Sequence, residues 1–84
     1  GTGALLITEH DAWHAWPEPV EVRSTVGAGD SSLAGFLLAH ARGDQPETCL
    51  RTAVAWGTAA AALPGSTMPT PAQADAIGVS LVHL

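Results

Sequence analysis

The 84 residues are 46% apolar and carry a formal charge of −5, but 16 of the apolar residues are alanine, so the core they can build is small. Three Arg and no Lys give no basic face for nucleic acid and remove the lysine that a Walker-type phosphate loop needs. One cysteine, Cys49, excludes a disulfide-stapled scaffold and favours a reducing cytoplasm, and no run nears the roughly 18 apolar residues of a membrane span.

Gly1-Thr2-Gly3-Ala4 has neither an initiator Met nor a basic signal-peptide start, and it leads directly into an apolar run. The expectation is a chain cut from something longer. Ala4 to Thr8 reads as a short buried strand. Glu9-His10-Asp11 is a polar turn, and Ala12 to Trp16 a second strand with Trp13 and His14 on opposite faces. Pro17 and Pro19 interrupt it before Val20-Glu21-Val22 resumes an alternating pattern. A small antiparallel region leading into a glycine turn is predicted.

After Asp30 the period changes. Leu33, Phe36, Leu37 and His40 share one face of a helix beginning near Ser31 and ending at Arg42-Gly43. A second helix is predicted from Pro46 to about Leu63, turning Cys49, Leu50, Ala53, Val54 and Gly57 to the core. Its alanine run, Ala59 to Ala62, permits close approach of another backbone, and Pro64-Gly65 stops it. Thr70-Pro71-Ala72-Gln73 has the form of a capping box and starts a third, short helix. Val79 to Leu84 reads as a terminal strand or a frayed tail. No linker divides residues 1–84.

Chemistry concentrates in Ser24-Thr25-Val26-Gly27-Ala28-Gly29-Asp30-Ser31. Gly27 and Gly29 lack Cβ atoms, so a charged ligand can approach the backbone closely. Free N–H groups at a helix start attract phosphate through unpaired donors and the helix dipole. Asp30 lies beside that anion site, where an ionised carboxylate can accept the proton of an attacking hydroxyl. These are two of the parts that phosphoryl transfer needs. The plainer reading is a glycine turn with Asp30 as a helix cap.

Thr25-Val26-Gly27-Ala28-Gly29-Asp30, followed by a helix of small and apolar residues, resembles the C-terminal signature of the ribokinase-like, pfkB-type carbohydrate kinases. The opening Gly-x-Gly-Ala strand, the Trp-containing hairpin and the alanine-rich second helix follow in that family's order. Ser24 and Ser31 bring the turn nearest to the 1-phosphofructokinase branch. The resemblance implies an α/β fold, with residues 1–84 as the C-terminal fragment of a ribokinase-like α/β/α sandwich whose intact form has a parallel core. It implies a nucleotide-binding and catalytic-base portion of an incomplete kinase domain. The activity implied for the intact protein is ATP-dependent phosphorylation of a sugar phosphate, most nearly fructose 1-phosphate to fructose 1,6-bisphosphate.

By the same resemblance Asp30 is the catalytic base for the sugar hydroxyl, and Gly27, Ala28 and Gly29 form the anion hole for the transferring phosphate. Thr25 lies near the nucleotide phosphates, Gly3 ends a glycine-containing nucleotide loop, and Ser66 stands in the adenine-pocket turn where many members carry Asn. ATP and Mg²⁺ are the implied cofactors, with no Mg²⁺ ligand named in this chain. The implied partners are small molecules rather than nucleic acid or membrane, the location is cytoplasmic, and a homodimer is compatible with the intact protein. The family's sugar-binding and Asn/Glu metal motifs precede the part present here, so the 84 residues alone are expected to be inactive.

Two rival readings stand beside this one. Gly29-Asp30-Ser31-Ser32 also resembles the Gly-Asp-Ser motif of esterases, with Ser31 as nucleophile and Asp11-Ala12-Trp13-His14 supplying an Asp-x-x-His pair. A non-enzymatic truncated remnant, needing a partner for its exposed apolar face, is the other. His10 and His14 sit in a turn and a strand rather than on one helix face, which argues against zinc. Trp13, Trp16 and Trp56 read as packing anchors, and Cys49 as a small buried apolar residue.

Overall fold

A computed structural model describes residues 3–65 and 67–84. Strand β1 (Ala4–Ile7) and strand β2 (Ala12–Pro17) form a hairpin. Helix α1 (Ala28–Ala41), helix α2 (Pro46–Ala61) and the short helix α3 (Pro71–Asp75) follow, and strand β3 (Val79–His83) closes the chain. The sheet order is β1-β2-β3, antiparallel throughout. The parallel core implied for an intact kinase is therefore not contained in these strands.

The Thr8–Asp11 turn makes the hairpin: Thr8 N–H donates to the Asp11 carbonyl at 2.8 Å, and the Thr8 hydroxyl accepts from Asp11 N–H at 3.1 Å. The register sets Leu6 opposite Trp13, and Trp13 opposite His83. Because side chains alternate across a strand, Ala4, Leu6, Trp13, Ala15, Val79 and Leu81 share one face, which packs on Leu50 and Val54 of α2. Leu5 and Ile7 point the other way and are exposed. The first strand is thus half-buried, where its unbroken apolar run predicted full burial. The terminal segment is a strand, its His83 ring stacked on Trp13 with centroids 5.0 Å apart.

Three further expectations are corrected. Val20-Glu21-Val22 forms no strand. Proline at positions 17 and 19 offers no N–H to a ladder, and the two N–H groups that follow the segment, of Arg23 and Ser24, both donate to the Ala61 carbonyl at 2.8 and 3.1 Å. Helix α1 begins at Ala28, three residues before the expected start, and α2 ends at Ala61 rather than near Leu63.

The third concerns the buried face of α1. Leu33 and Leu37 are 59% and 53% exposed, His40 is exposed, and Ser31, Gly35 and Ala39 are the residues buried instead. Their i, i+4, i+8 spacing makes a ridge of small side chains. Along it α1 rests on α2, the one element it packs against among those described. A Cβ on Gly35 would come within 2.6 Å of the Trp56 ring, so the helices meet at backbone distance there. Small residues make that approach, and the larger leucines face outward. Helix α3 lies on α2 through the buried Ala74, and its predicted capping box is present, with the Thr70 hydroxyl accepting from Gln73 N–H at 3.2 Å.

Candidate functional site

The glycine turn takes its shape from three local requirements. Val26 N–H donates to the Ser24 hydroxyl at 3.1 Å, bending the chain into the turn. Ala28 N–H reaches the Thr25 carbonyl at 3.3 Å across Val26 and Gly27. Gly27, at φ 80° and ψ −2°, holds the third position of that turn, a geometry close to the type II turn and one that L side chains resist by roughly 1–2 kcal/mol. Gly27 is thereby the N-cap of α1, and Asp30 lies in the helix's first turn rather than at its cap.

This arrangement leaves specific donors free. Ser31 N–H is taken by the Gly27 carbonyl at 3.0 Å and Ala28 N–H by Thr25. Among the described residues, the N–H groups of Gly29 and Asp30 have no backbone acceptor. Of the three residues expected to line an anion hole, Gly27 and Gly29 have N–H groups with no backbone acceptor among the described residues, whereas Ala28 uses its own within the turn. The Asp30 side chain is exposed. A carboxylate in a first helical turn interacts favourably with the dipole.

Gly29 itself meets no folding demand. Its φ is not positive, and a Cβ built on it would touch nothing within 4 Å. Gly3 is the opposite case: at φ 96°, a Cβ would collide with the Ala15 carbonyl, so the hairpin by itself accounts for glycine there. Gly3, Thr25, Ala28 and Gly29 are nonetheless brought together along one cleft of about 290 Å³, floored by Val54, Gly57 and Ala61 of α2. Ser66 lies outside the described residues.

Sequence reasoning placed Gly57 on the inward face of α2 but missed Ser32 and the pairing of the two. The Ser32 hydroxyl donates to the Ala53 carbonyl at 2.9 Å, and Gly57 is the notch that admits it, tying the first turns of α1 to α2. No periodicity could have revealed this, because the contact is between one hydroxyl and one missing side chain.

The esterase arrangement does not assemble. Ser31 is 2% exposed, and its hydroxyl points at the Met68 sulfur, 3.4 Å away. The Asp11 carboxylate bonds His83 Nε2 at 2.7 Å, while the His14 ring leans on Trp16 on the other face of the sheet. Among the described residues no group of three potential metal ligands forms, His10 and His14 included. Cys49 is buried as expected, and that burial, with Asp44 nearby, pushes its thiol pKa up. No described helix is long and apolar enough to cross a membrane.

The family described as pfkB family carbohydrate kinase matches residues 1–73. A 1-phosphofructokinase of Haloferax volcanii is 37% identical over 67 residues, covering 80% of this chain and 22% of that protein. A fructoselysine 6-kinase of Escherichia coli is 50% identical over 60 residues, 71% of this chain and 22% of its own. The chain thus spans about a fifth of the length of these curated relatives. Among solved structures, a Staphylococcus aureus protein assigned as a phosphofructokinase superposes with a TM-score of 0.92 at 32% identity, over 100% of this chain and 28% of that one. Phosphofructokinase-2 of Escherichia coli, in complex with potassium, gives a TM-score of 0.84 at 32% identity over 88% of this chain and 24% of its own.

Proposed function

The chain belongs to the pfkB family of carbohydrate kinases, and from that premise we propose that residues 1–84 form the C-terminal, nucleotide-binding and catalytic-base portion of a kinase domain. In the intact protein this portion serves transfer of the ATP γ-phosphoryl group to a hydroxyl of fructose 1-phosphate, giving fructose 1,6-bisphosphate. The observation that carries the reading is Gly29: a helical glycine without strain or packing need, at two N–H groups that have no backbone acceptor among the described residues, and beside an exposed carboxylate. Such a residue is explained by a ligand that approaches the backbone.

In this reading the Gly29 and Asp30 N–H groups hold oxygens of the transferring phosphoryl group, with the dipole of α1 behind them. Gly27 keeps the turn in shape. Asp30 accepts the proton of the attacking hydroxyl, help typically worth roughly 10²–10⁴-fold. Thr25 and Gly3 border the cleft that receives the nucleotide. Mg²⁺, when bound, neutralises phosphate charge, and its ligands are assigned to no described residue of this chain. The same reading puts the intact enzyme in the cytoplasm, in keeping with the free, buried thiol of Cys49.

Fructose 1-phosphate follows the relatives named 1-phosphofructokinase. The 50% identity to a fructoselysine 6-kinase favours a second substrate of the same broad class. One experiment addresses both: the intact protein and its Asp30→Asn variant are assayed for ADP release with fructose 1-phosphate and with fructoselysine. Turnover should fall by orders of magnitude in the variant while ATP binding persists. Unchanged turnover in Asp30→Asn would remove the base assignment, and the preferred carbohydrate decides the substrate.

A further inference from the structure

We propose that Ser32 is a positioning residue for this site, acting with Gly57 as a peg and notch that sets where Asp30 and the Gly29 N–H stand; the inference rests on the kinase reading above. Ser32 lies two residues beyond Asp30. Its hydroxyl crosses to α2 and donates to the Ala53 carbonyl at 2.9 Å. One turn further along α2, a Cβ on Gly57 would collide with that hydroxyl and would stand 3.4 Å from the Ala28 carbonyl. Another turn on, the Ala61 carbonyl accepts both the Arg23 and the Ser24 N–H groups.

Positions 53, 57 and 61 form a single i, i+4, i+8 row on α2. That row grips the chain before the glycine turn at Ala61 and after it at Ala53. Between these anchors Gly29 touches nothing where a Cβ would be and Asp30 is exposed, while the next residue, Ser31, is buried on the ridge that faces α2. The two anchors flank the turn on either side and so help to set its placement relative to α2. A catalytic group displaced by about 1 Å can lose roughly 10²-fold in rate, so a methyl group at the notch acts on the chemistry through Ser32.

The test is a set of three variants of the intact protein: Gly57→Ala, Ser32→Ala, and the two combined. Each is read by kcat, KM for ATP, melting temperature and a crystal structure. Gly57→Ala should lower kcat by at least about tenfold with KM changed less than about threefold, and should displace Asp30 from its wild-type position. The double variant lacks the colliding hydroxyl and keeps ordinary 3.4 Å contacts with the Ser32 Cβ and the Ala28 carbonyl. It should regain the kcat of Ser32→Ala and return Asp30 to place. Should Gly57→Ala not fold, recovery of folding and turnover in the double variant supports the lock. A double variant no better than Gly57→Ala overturns it, as does a Gly57→Ala protein that loses melting temperature alone. If the wild-type protein phosphorylates no carbohydrate, the function reading fails by itself; the position of Asp30 in the three crystal structures then decides the lock.

Discussion

Replacing Gly29 with alanine separates what the fold needs from what the site needs. The position is helical, its φ is not positive, and the new methyl would meet nothing within 4 Å. Exchanging a helical glycine for alanine is worth roughly 0.5–1 kcal/mol. At no more than about 2–4 °C per kcal/mol for a protein as long as the curated relatives, the melting temperature should rise by about 1–4 °C. The methyl also occupies the approach to two N–H groups that have no backbone acceptor among the described residues, and loss of one such donor interaction typically lowers kcat by about 10²–10³-fold. Gly29→Ala in the intact kinase should therefore be more stable and nearly inactive. Gly27→Ala reverses the stability sign, because an L side chain at φ 80° costs roughly 1–2 kcal/mol, or about 2–8 °C in a protein of that length. Thermal melting followed by circular dichroism gives one axis and ADP release gives the other. A Gly29→Ala protein with wild-type turnover, or with a lowered melting temperature, would refute the reasoning that this glycine exists for a ligand.

Other substitutions probe the fold and its surfaces. Trp13→Ala removes the largest side chain of the core it shares with Leu50 and Val54, a change worth about 3–5 kcal/mol, and chemical denaturation should show the chain mostly unfolded in buffer. Burial, followed by the Asp44 carboxylate, raises the Cys49 thiol pKa; the unfolded chain then loses its thiol proton first, so stability should decline as pH climbs above about 8.5. Melting curves between pH 7 and 10 should show that decline, flattened in Cys49→Ala. Leu33→Ser with Leu37→Ser alters exposed side chains and should change the stability of the 84-residue chain by no more than about 0.5 kcal/mol per substitution, while size-exclusion chromatography shows less self-association.

The glycine turn, the hairpin and the capping box of α3 were legible because each rests on local chemistry: a positive-φ requirement, a two-residue alternation, a hydroxyl three residues before a glutamine. The start of α1 was displaced for a related reason. Asp30 reads as a cap by residue type, yet the Thr25–Ala28 turn delivers the chain into helical geometry at Ala28 and makes Gly27 the cap. Val20-Glu21-Val22 failed as a strand because alternation describes faces, whereas strand formation needs a partner, and its neighbours' N–H groups go to Ala61.

The reversal of α1 is the more instructive difference. A periodic search weights side-chain size, so it selected Leu33, Phe36, Leu37 and His40 as one face of the helix. The contact made within this chain uses Ser31, Gly35 and Ala39, because α2 brings Trp56 and Gly57 to a distance that only small residues tolerate. Both signals are physically sound, and they describe different neighbours. The small ridge answers α2. The leucine face answers nothing among the described residues, in a chain that spans about a fifth of its curated relatives. In the intact kinase we propose, α1 is then a two-sided helix, and Asp30, at its start, is aligned by whatever packs on either face. Substitutions on the leucine side should consequently disturb turnover in the intact enzyme while leaving the 84-residue chain unaffected, and that contrast follows from the exposure of Leu33 and Leu37 alone.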